Sequence, residues 1–402
     1  MSNTQTKNVP ELRFPGFEGE YSLDIFGNLA TNKSEKFNPQ NENASIDIEL
    51  DCIEQNTGRL IKIYNSKEFS SQKNKFNPQN VLYGKLRPYL NKYYFTKKSG
   101  VCSSEIWVLK STKEDKLLNL FLYYFIQTKR YSDVASKSAG SKMPRADWGL
   151  IENIRVYFPE LCEQQKIGQF FSKLDRQIEL EEQKLELLKQ QKKGYMQKIF
   201  SQELRFKDEN GNDYPDWEEK QLGELSQIVR GASPRPIKDP KWFNKESDIG
   251  WLRISDVTNQ NGKIYHLEQK LSIEGQEKTR VLVTTHLLLS IAASIGKPVM
   301  NFVKTGVHDG FLIFLNPKFN LFFMYYWLEY FKDKWSKYGQ PGSQVNLNTE
   351  IVKSQTLNMP SNHEQEKVGQ FFNRNEKLIE LQQEKIMYLK RRKQVLLQKM
   401  FI

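Results

Sequence analysis

Cysteine and histidine are scarce in this chain. The three cysteines, Cys52, Cys102 and Cys162, are far apart and form no Cys-x-x-Cys pair. That excludes a disulfide framework and a cysteine-rich zinc site, and it fits a reducing compartment. The four histidines, His266, His286, His308 and His363, have no paired metal-ligand spacing. No phosphate-binding loop is present either: Gly296-Lys297 is followed by Pro298, and there is no GxGxxG. Long apolar runs are missing. The most apolar stretch, Asn320 to Phe331, is interrupted by Glu329 and falls short of the about 20 residues that span a bilayer. Met1 to Pro10 is polar and shows no signal-peptide pattern. The expectation is a cytoplasmic protein without a membrane segment, a catalytic centre or a bound metal.

What the chain does have is aromatic content and positive charge. Its 402 residues include 25 Phe, 18 Tyr and 7 Trp, too many for a disordered chain and enough for two or three cored domains. Sixty Lys and Arg against 48 Asp and Glu leave a net charge of +12, which points to a polyanionic partner. Residues 163–200 and 364–402 hold half of that excess.

The sequence also repeats itself. Residues 159–200 align without a gap to residues 360–401, with 18 identities in 42 positions. Glu163-Gln164, Lys166 and Gly168-Gln169-Phe170-Phe171 recur as Glu364-Gln365, Lys367 and Gly369-Gln370-Phe371-Phe372. Leu12-Arg13-Phe14 recurs as Leu204-Arg205-Phe206, and Gly140-Ser141 as Gly342-Ser343. Between these echoes the two halves differ.

Within each similar segment, apolar residues alternate in steps of four and three. The first carries Ile167, Phe171, Leu174, Ile178, Leu185 and Leu188, continuing to Tyr195 and Ile199. The second carries Val368, Phe372, Ile379, Ile386, Leu389 and Leu396. This spacing predicts two long helices with coiled-coil seams, each roughly 50 Å at about 1.5 Å per residue. Polar residues fall at matching seam layers, Glu181 with Gln382 and Lys192 with Lys393. The simpler alternative is a helix packed on its own module's core. The remaining segments read as α+β modules. Gly250–Val257 and Gly310–Leu315 are strand-like, while Leu117–Arg130 and Leu321–Lys337 read as aromatic amphipathic helices.

Charge patterning marks candidate nucleic-acid contacts. No acid occurs between Glu68 and Glu105, where Lys73, Lys75, Lys85, Arg87 and Lys92 are interleaved with Tyr83, Tyr89, Tyr93 and Tyr94. Lys142 and Arg145 lie in a second acid-free stretch. In the other half Arg230 and Arg235 share one gap and Lys297 lies in another, with Arg253 on the strand-like segment. Lysine and arginine neutralise phosphates, while Gln344, Asn346 and Asn348 suit the adenine edge. Each position has the alternative of a solvated loop. Pro215-Asp216-Trp217-Glu218-Glu219-Lys220 imitates a nuclease metal site, but its parts are adjacent in sequence, as in a turn entering the second module.

The whole pattern resembles the specificity subunit of type I restriction–modification systems. The likeness rests on the LRFPGF-type opening, the LYGKLRPYLNK and LLLSIAASIGK segments, the Gly-Ser loops and the Pro-(EQ)-K-GQFF helices. GSQVNLN departs from it by lacking the basic residues of GSKMPR. The resemblance implies an α+β fold with two similar target recognition domains, at 1–158 and 204–358. The conserved helices, at 159–203 and 359–402, would pack as an antiparallel coiled coil with pseudo-twofold symmetry. It further implies a non-catalytic subunit reading a bipartite, asymmetric duplex DNA target. Two methyltransferase subunits and restriction/translocase subunits would dock on it and hold S-adenosylmethionine, ATP and Mg, for adenine N6 methylation or cleavage. The Asn-Pro-Pro-aromatic motif of amino-methyltransferases is absent from this chain. Two other readings are a coiled-coil scaffold with protein-binding modules and a freestanding bipartite DNA-binding regulator.

Overall fold

Two 40-residue-scale runs of Leu, Lys, Glu and Gln, free of proline, form the longest elements: helices Leu161–Phe200 and Asn362–Met400. The computed structural model describes residues 8–42, 44–68, 70–137, 142–292, 295–338 and 347–402. By internal contact the chain divides into two compact units, Met1–Gln183 with Gln383–Ile402, and Lys184–Gln382. That division runs through both long helices. Each unit therefore contains the N-terminal half of one helix and the C-terminal half of the other.

Within the first unit the two half-helices run antiparallel. Phe171 meets Phe401, Asp175 meets Lys393 at 2.6 Å and Glu181 meets Lys385 at 2.5 Å. The second unit repeats the arrangement, with Phe200 stacked on Phe372 and Lys192 3.5 Å from Glu376. Ile167, Phe171, Leu174, Ile178 and Leu389 are buried, as are Val368, Phe372 and Ile386. Leu185, Leu188, Ile379 and Leu396 are half-buried. Near one end the seam shifts by a residue from the predicted line: Met196 is buried, while Tyr195 is 39% exposed and lies edge-on to Phe371.

The N-terminal halves also pack on their own modules, so the simpler alternative holds there too. Phe171 packs on Tyr124 and Phe372 on Tyr326. The aromatic helices that supply these tyrosines are shorter than their sequence suggests and buried nearly all round, not on one face. The first runs Asn119–Phe125 and stops where Thr128 Oγ1 donates to Phe125 O; a second helix, Lys129–Ala135, follows. The counterpart is Leu321–Phe331, continued as a 3-10 turn over Lys332–Tyr338. A helix wedged between a sheet and another helix has no wet face to keep polar.

Each module carries a main sheet and a second one, of four strands each in the first unit and of five and three strands in the second. In the first unit the main sheet orders Ala30–Thr31, Ile106–Ser111, Val81–Gly84 and Tyr93–Phe95, all antiparallel. In the second the order is Gln227–Arg230, Phe311–Leu315, Leu287–Ser290, Pro298–Asn301 and Lys263–Ile264. A two-stranded ribbon closes each module at the long helix, Ser22–Ile25 with Arg155–Phe158 and Glu218–Gln221 with Thr356–Met359. The nuclease-like run therefore enters a strand, with Trp217 buried. The predicted strand over Gly250–Val257 is only half a strand: Gly250–Leu252 is extended, then Asp256 accepts from Arg253 N at 2.9 Å and starts the helix Ile254–Asn259.

The repeated motifs hold this framework together. Glu163, fully buried, binds Arg13 through Nε and Nη2, and Glu364 binds Arg205 in the same way while accepting from Trp217 Nε1 at 3.0 Å. Gln164 accepts from Leu118 N and donates to Pro159 O; Gln365 accepts from Asn320 N and donates to Pro360 O. Each glutamine thus ties its long helix to the start of the aromatic helix. The repeated signature is an assembly device, not a reactive site.

Candidate nucleic-acid interface

In the first unit the basic loops gather at one end of the main sheet. Val81–Gly84 leaves the sheet there, and Tyr93–Phe95 and Ile106–Ser111 enter it. Arg87 adopts a left-handed conformation with φ 53°, and its N–H donates to Pro144 O at 2.7 Å. Ala146 N donates to Lys85 O, and Leu86 pairs with Arg145. Two loops more than fifty positions apart in sequence are thereby zipped together. Lys85, Arg87, Tyr89, Lys142 and Arg145 share one surface, with Tyr89 58% exposed and Arg87, Lys142 and Arg145 exposed. The Arg145 guanidinium forks onto Glu105, with Nε at 3.0 Å and Nη2 at 3.1 Å. Glu105, an acid that merely bounded the acid-free stretch in sequence, turns out to sit inside the basic cluster.

Other lysines of that stretch point elsewhere. Lys92 Nζ donates to Leu50 O at 2.5 Å. Lys73 is fully buried against Asp47 and Glu49, and Lys75 pairs with Glu42 at 2.6 Å. Lys73 and Lys75 share one face of the strand Lys73–Phe76, and what engages them is acids brought in from elsewhere, Asp47 and Glu49 for one and Glu42 for the other, which composition alone does not reveal.

The second unit gathers a comparable surface around Asp309. Arg230 Nε donates to Asp309 O at 2.6 Å, Arg235 Nη2 donates to Asp309 Oδ2 at 2.6 Å, and Ser233 Oγ donates to Oδ1 at 2.9 Å. Burial by itself raises the Asp309 carboxyl, but Ser233, His308 and Arg235 more than offset this and hold it below the ordinary range. It remains an anion at neutral pH. Lys297 lies at the same end of the sheet, next to Pro298–Asn301, and donates to Asn261 Oδ1 at 3.3 Å. Burial lowers the Lys297 ammonium, and nearby Lys332 lowers it further.

Arg253 is not part of this cluster; it binds Asp256 at 2.8 Å and reaches Glu268 at 3.5 Å. Asn348 caps the helix Thr349–Lys353, its Oδ1 accepting from Ile351 N at 2.9 Å. Gln344 and Asn346, with both Gly-Ser loops, lie outside the described residues. Among the described residues no three His, Cys, Asp or Glu side chains converge as metal ligands would. No described helix is long and apolar enough to cross a membrane.

The arrangement of paired modules and long helices has counterparts among known proteins. The MjaVIII type I restriction enzyme specificity subunit of Methanocaldococcus jannaschii is 26% identical over 315 residues, covering 71% of this chain and 70% of that protein. A putative MjaX specificity subunit from the same organism is 23% identical over 281 residues, or 68% and 64% of the two chains. A type I restriction–modification S subunit from M. genitalium has a TM-score of 0.60 at 14% identity, covering 98% of this chain and 99% of that one. A chain solved in work on complex assembly and conformational transition of the type I R-M system gives 0.61 at 17%, covering 94% and 97%. At such identities the likeness is one of fold. The family model for the type I restriction modification DNA specificity domain matches residues 22–190 and again 214–391. With most of its length matched in two successive copies, the chain belongs to the DNA specificity subunits of type I restriction–modification systems, which recognise sequence and are not themselves catalytic.

Proposed function

We propose that each unit reads one half of a bipartite duplex DNA target, and that the chain positions two methyltransferase subunits, with restriction/translocase subunits, on it. The observation that carries this reading is the doubled module: two copies keep the same four-strand order in the main sheet and the same helix-anchoring motifs, while the loops at the sheet end differ. Unequal loops imply unequal half-sites, hence an asymmetric target. Base edges are read by a few side chains, while phosphate contacts set register. The long helices would act as a spacer between half-sites about one helical turn apart, 34–36 Å. S-adenosylmethionine, ATP and Mg are assigned to the partner subunits, which would flip the target adenine into their own pocket. The complex would work in the cytoplasm.

The test is to assemble the chain with its methyltransferase subunits, expose genomic DNA to the complex and map methylated adenines. One recurring asymmetric motif with an unread spacer is expected. Methylation without a shared motif, or DNA protection with no sequence preference, would overturn the reading.

A further inference from the structure

The shared sheet plan equates positions that the sequence does not align. In the first unit the strand Gly100–Ser103 pairs parallel with Asp47–Ile48 and antiparallel with Lys73–Phe76. It turns at once into Ile106–Ser111, the neighbour of Ala30–Thr31 and Val81–Gly84. In the second unit Thr305–Val307 pairs parallel with Gly250–Leu252 and antiparallel with Arg280–Leu282. It then turns into Phe311–Leu315, the neighbour of Gln227–Arg230 and Leu287–Ser290. The same two-sheet turn therefore occurs in both units, and each copy contains one carboxylate, Glu105 or Asp309.

Each carboxylate holds an arginine that arrives from a different place. Arg145 comes from the loop before the short helix Trp148–Ile151, and Arg235 from the loop after the strand Gln227–Arg230. The arginines are 49% and 69% exposed at the side chain, the acids 27% and 26%. The turn acid is thus common to both units, although the loop that provides its arginine is not.

We infer that Glu105 and Asp309 are equivalent positioning residues, each presenting an arginine, Arg145 or Arg235, for contact with DNA bases. The inference rests on the DNA-reading function proposed above. A guanidinium held by a carboxylate has already lost rotamer freedom that it would otherwise lose on binding. Its charge is largely offset, so it adds little to the sequence-independent attraction for phosphates. Its planar donor geometry remains, and that geometry matches guanine O6 and N7. An arginine presented in this way serves discrimination more than adhesion.

Two explanations of the acids differ in what they predict for sequence preference. Asp309→Asn and Glu105→Gln each remove one negative charge. If the acids matter only through charge, every duplex binds as well or better and sequence preference is unchanged. If they position arginines, binding to random duplex holds or rises, while discrimination at one base pair of one half-site falls about tenfold or more. The experiment uses the chain assembled with its methyltransferase subunits and a pool of random-sequence DNA duplexes, sequencing the bound and the methylated fractions. Arg235→Lys, which keeps the charge on an exposed side chain but loses the fork, should lose the same base pair as Asp309→Asn. Asp309→Glu should restore part of the preference. An unchanged preference in Asp309→Asn and Arg235→Lys, or an equal loss in both half-sites, would overturn the inference. A wild-type complex that selects no sequence would instead sink the proposed function itself.

Discussion

Glu376 shows how a single side chain is made tolerable in a core. It is 5% exposed, 2.7 Å from Lys263 Nζ and 3.5 Å from Lys192 Nζ, and its Oε2 accepts from Tyr326 OH at 2.7 Å. Burial pushes this carboxyl upward, but the two lysines and the tyrosine more than offset the push, so it titrates below the ordinary Glu range. Asp175 is its counterpart in the first unit, meeting Lys393 at 2.6 Å and Tyr124 OH at 3.0 Å. A carboxylate whose folded value lies below its unfolded one, about 4.3, contributes its full stability above the unfolded value. That contribution is lost as pH falls through the folded value. The urea midpoint of the wild-type chain should therefore fall more steeply than that of Glu376→Gln as pH drops below about 4.3. At neutral pH the variant should be the less stable of the two, because Lys192 and Lys263 lose a buried partner. Parallel acid curves would show that Glu376 does not carry this dependence.

At the scale of the element, the long helices contain glycines with opposite roles. A Cβ built on Gly168 would lie 2.7 Å from Leu120 Cγ, where the helix crosses Asn119–Phe125, whereas Gly194 has nothing within 4 Å. Alanine gains about 1 kcal/mol over glycine in a helix interior. At Gly194 that gain stands, and Gly194→Ala should raise stability by about 0.5–1 kcal/mol. At Gly168 overpacking costs about 1–3 kcal/mol and outweighs it, so Gly168→Ala should lower stability. Chemical denaturation of the two variants, read by helical circular dichroism, checks the reversal of sign. The same crossing explains why the Gly-Gln-Phe-Phe run occurs twice: the glycine lets the aromatic helix approach, and the second phenylalanine, Phe171 or Phe372, is fully buried behind it.

For the whole molecule, the compact units do not coincide with the sequence modules. Lys192, on the first long helix, belongs to the second unit and pairs there with Glu329 at 3.0 Å. A module exchange at 204–358 that lacks a carboxylate at the position of Glu329 would leave Lys192 with Glu376 alone, at 3.5 Å, so that carboxylate should be kept. With that retained, replacing residues 204–358 by the corresponding module of another family member should alter one half-site and leave the other intact. Methylated-adenine mapping of the exchanged chain reads the outcome; a change in both half-sites would argue against independent reading.

The sequence by itself determined the duplication, the two long helices, their apolar seam and the family, because these are periodic or repeated signals carried by neighbours along the chain. It also placed Lys85, Arg87, Tyr89, Lys142 and Arg145 as candidates, and the fold brings them to one surface through the Arg87–Pro144 and Lys85–Ala146 backbone pairings. Only the tertiary structure decided which lysines face inward, such as Lys73, and that Arg253 binds Asp256 and Glu268 apart from the Asp309 cluster. It alone set Glu105 and Asp309 among the arginines. Strand alternation, sheet order and loop closure join residues that lie 40 to 74 positions apart. Charge patterning along the chain cannot register an acid that reaches a basic cluster only through folding.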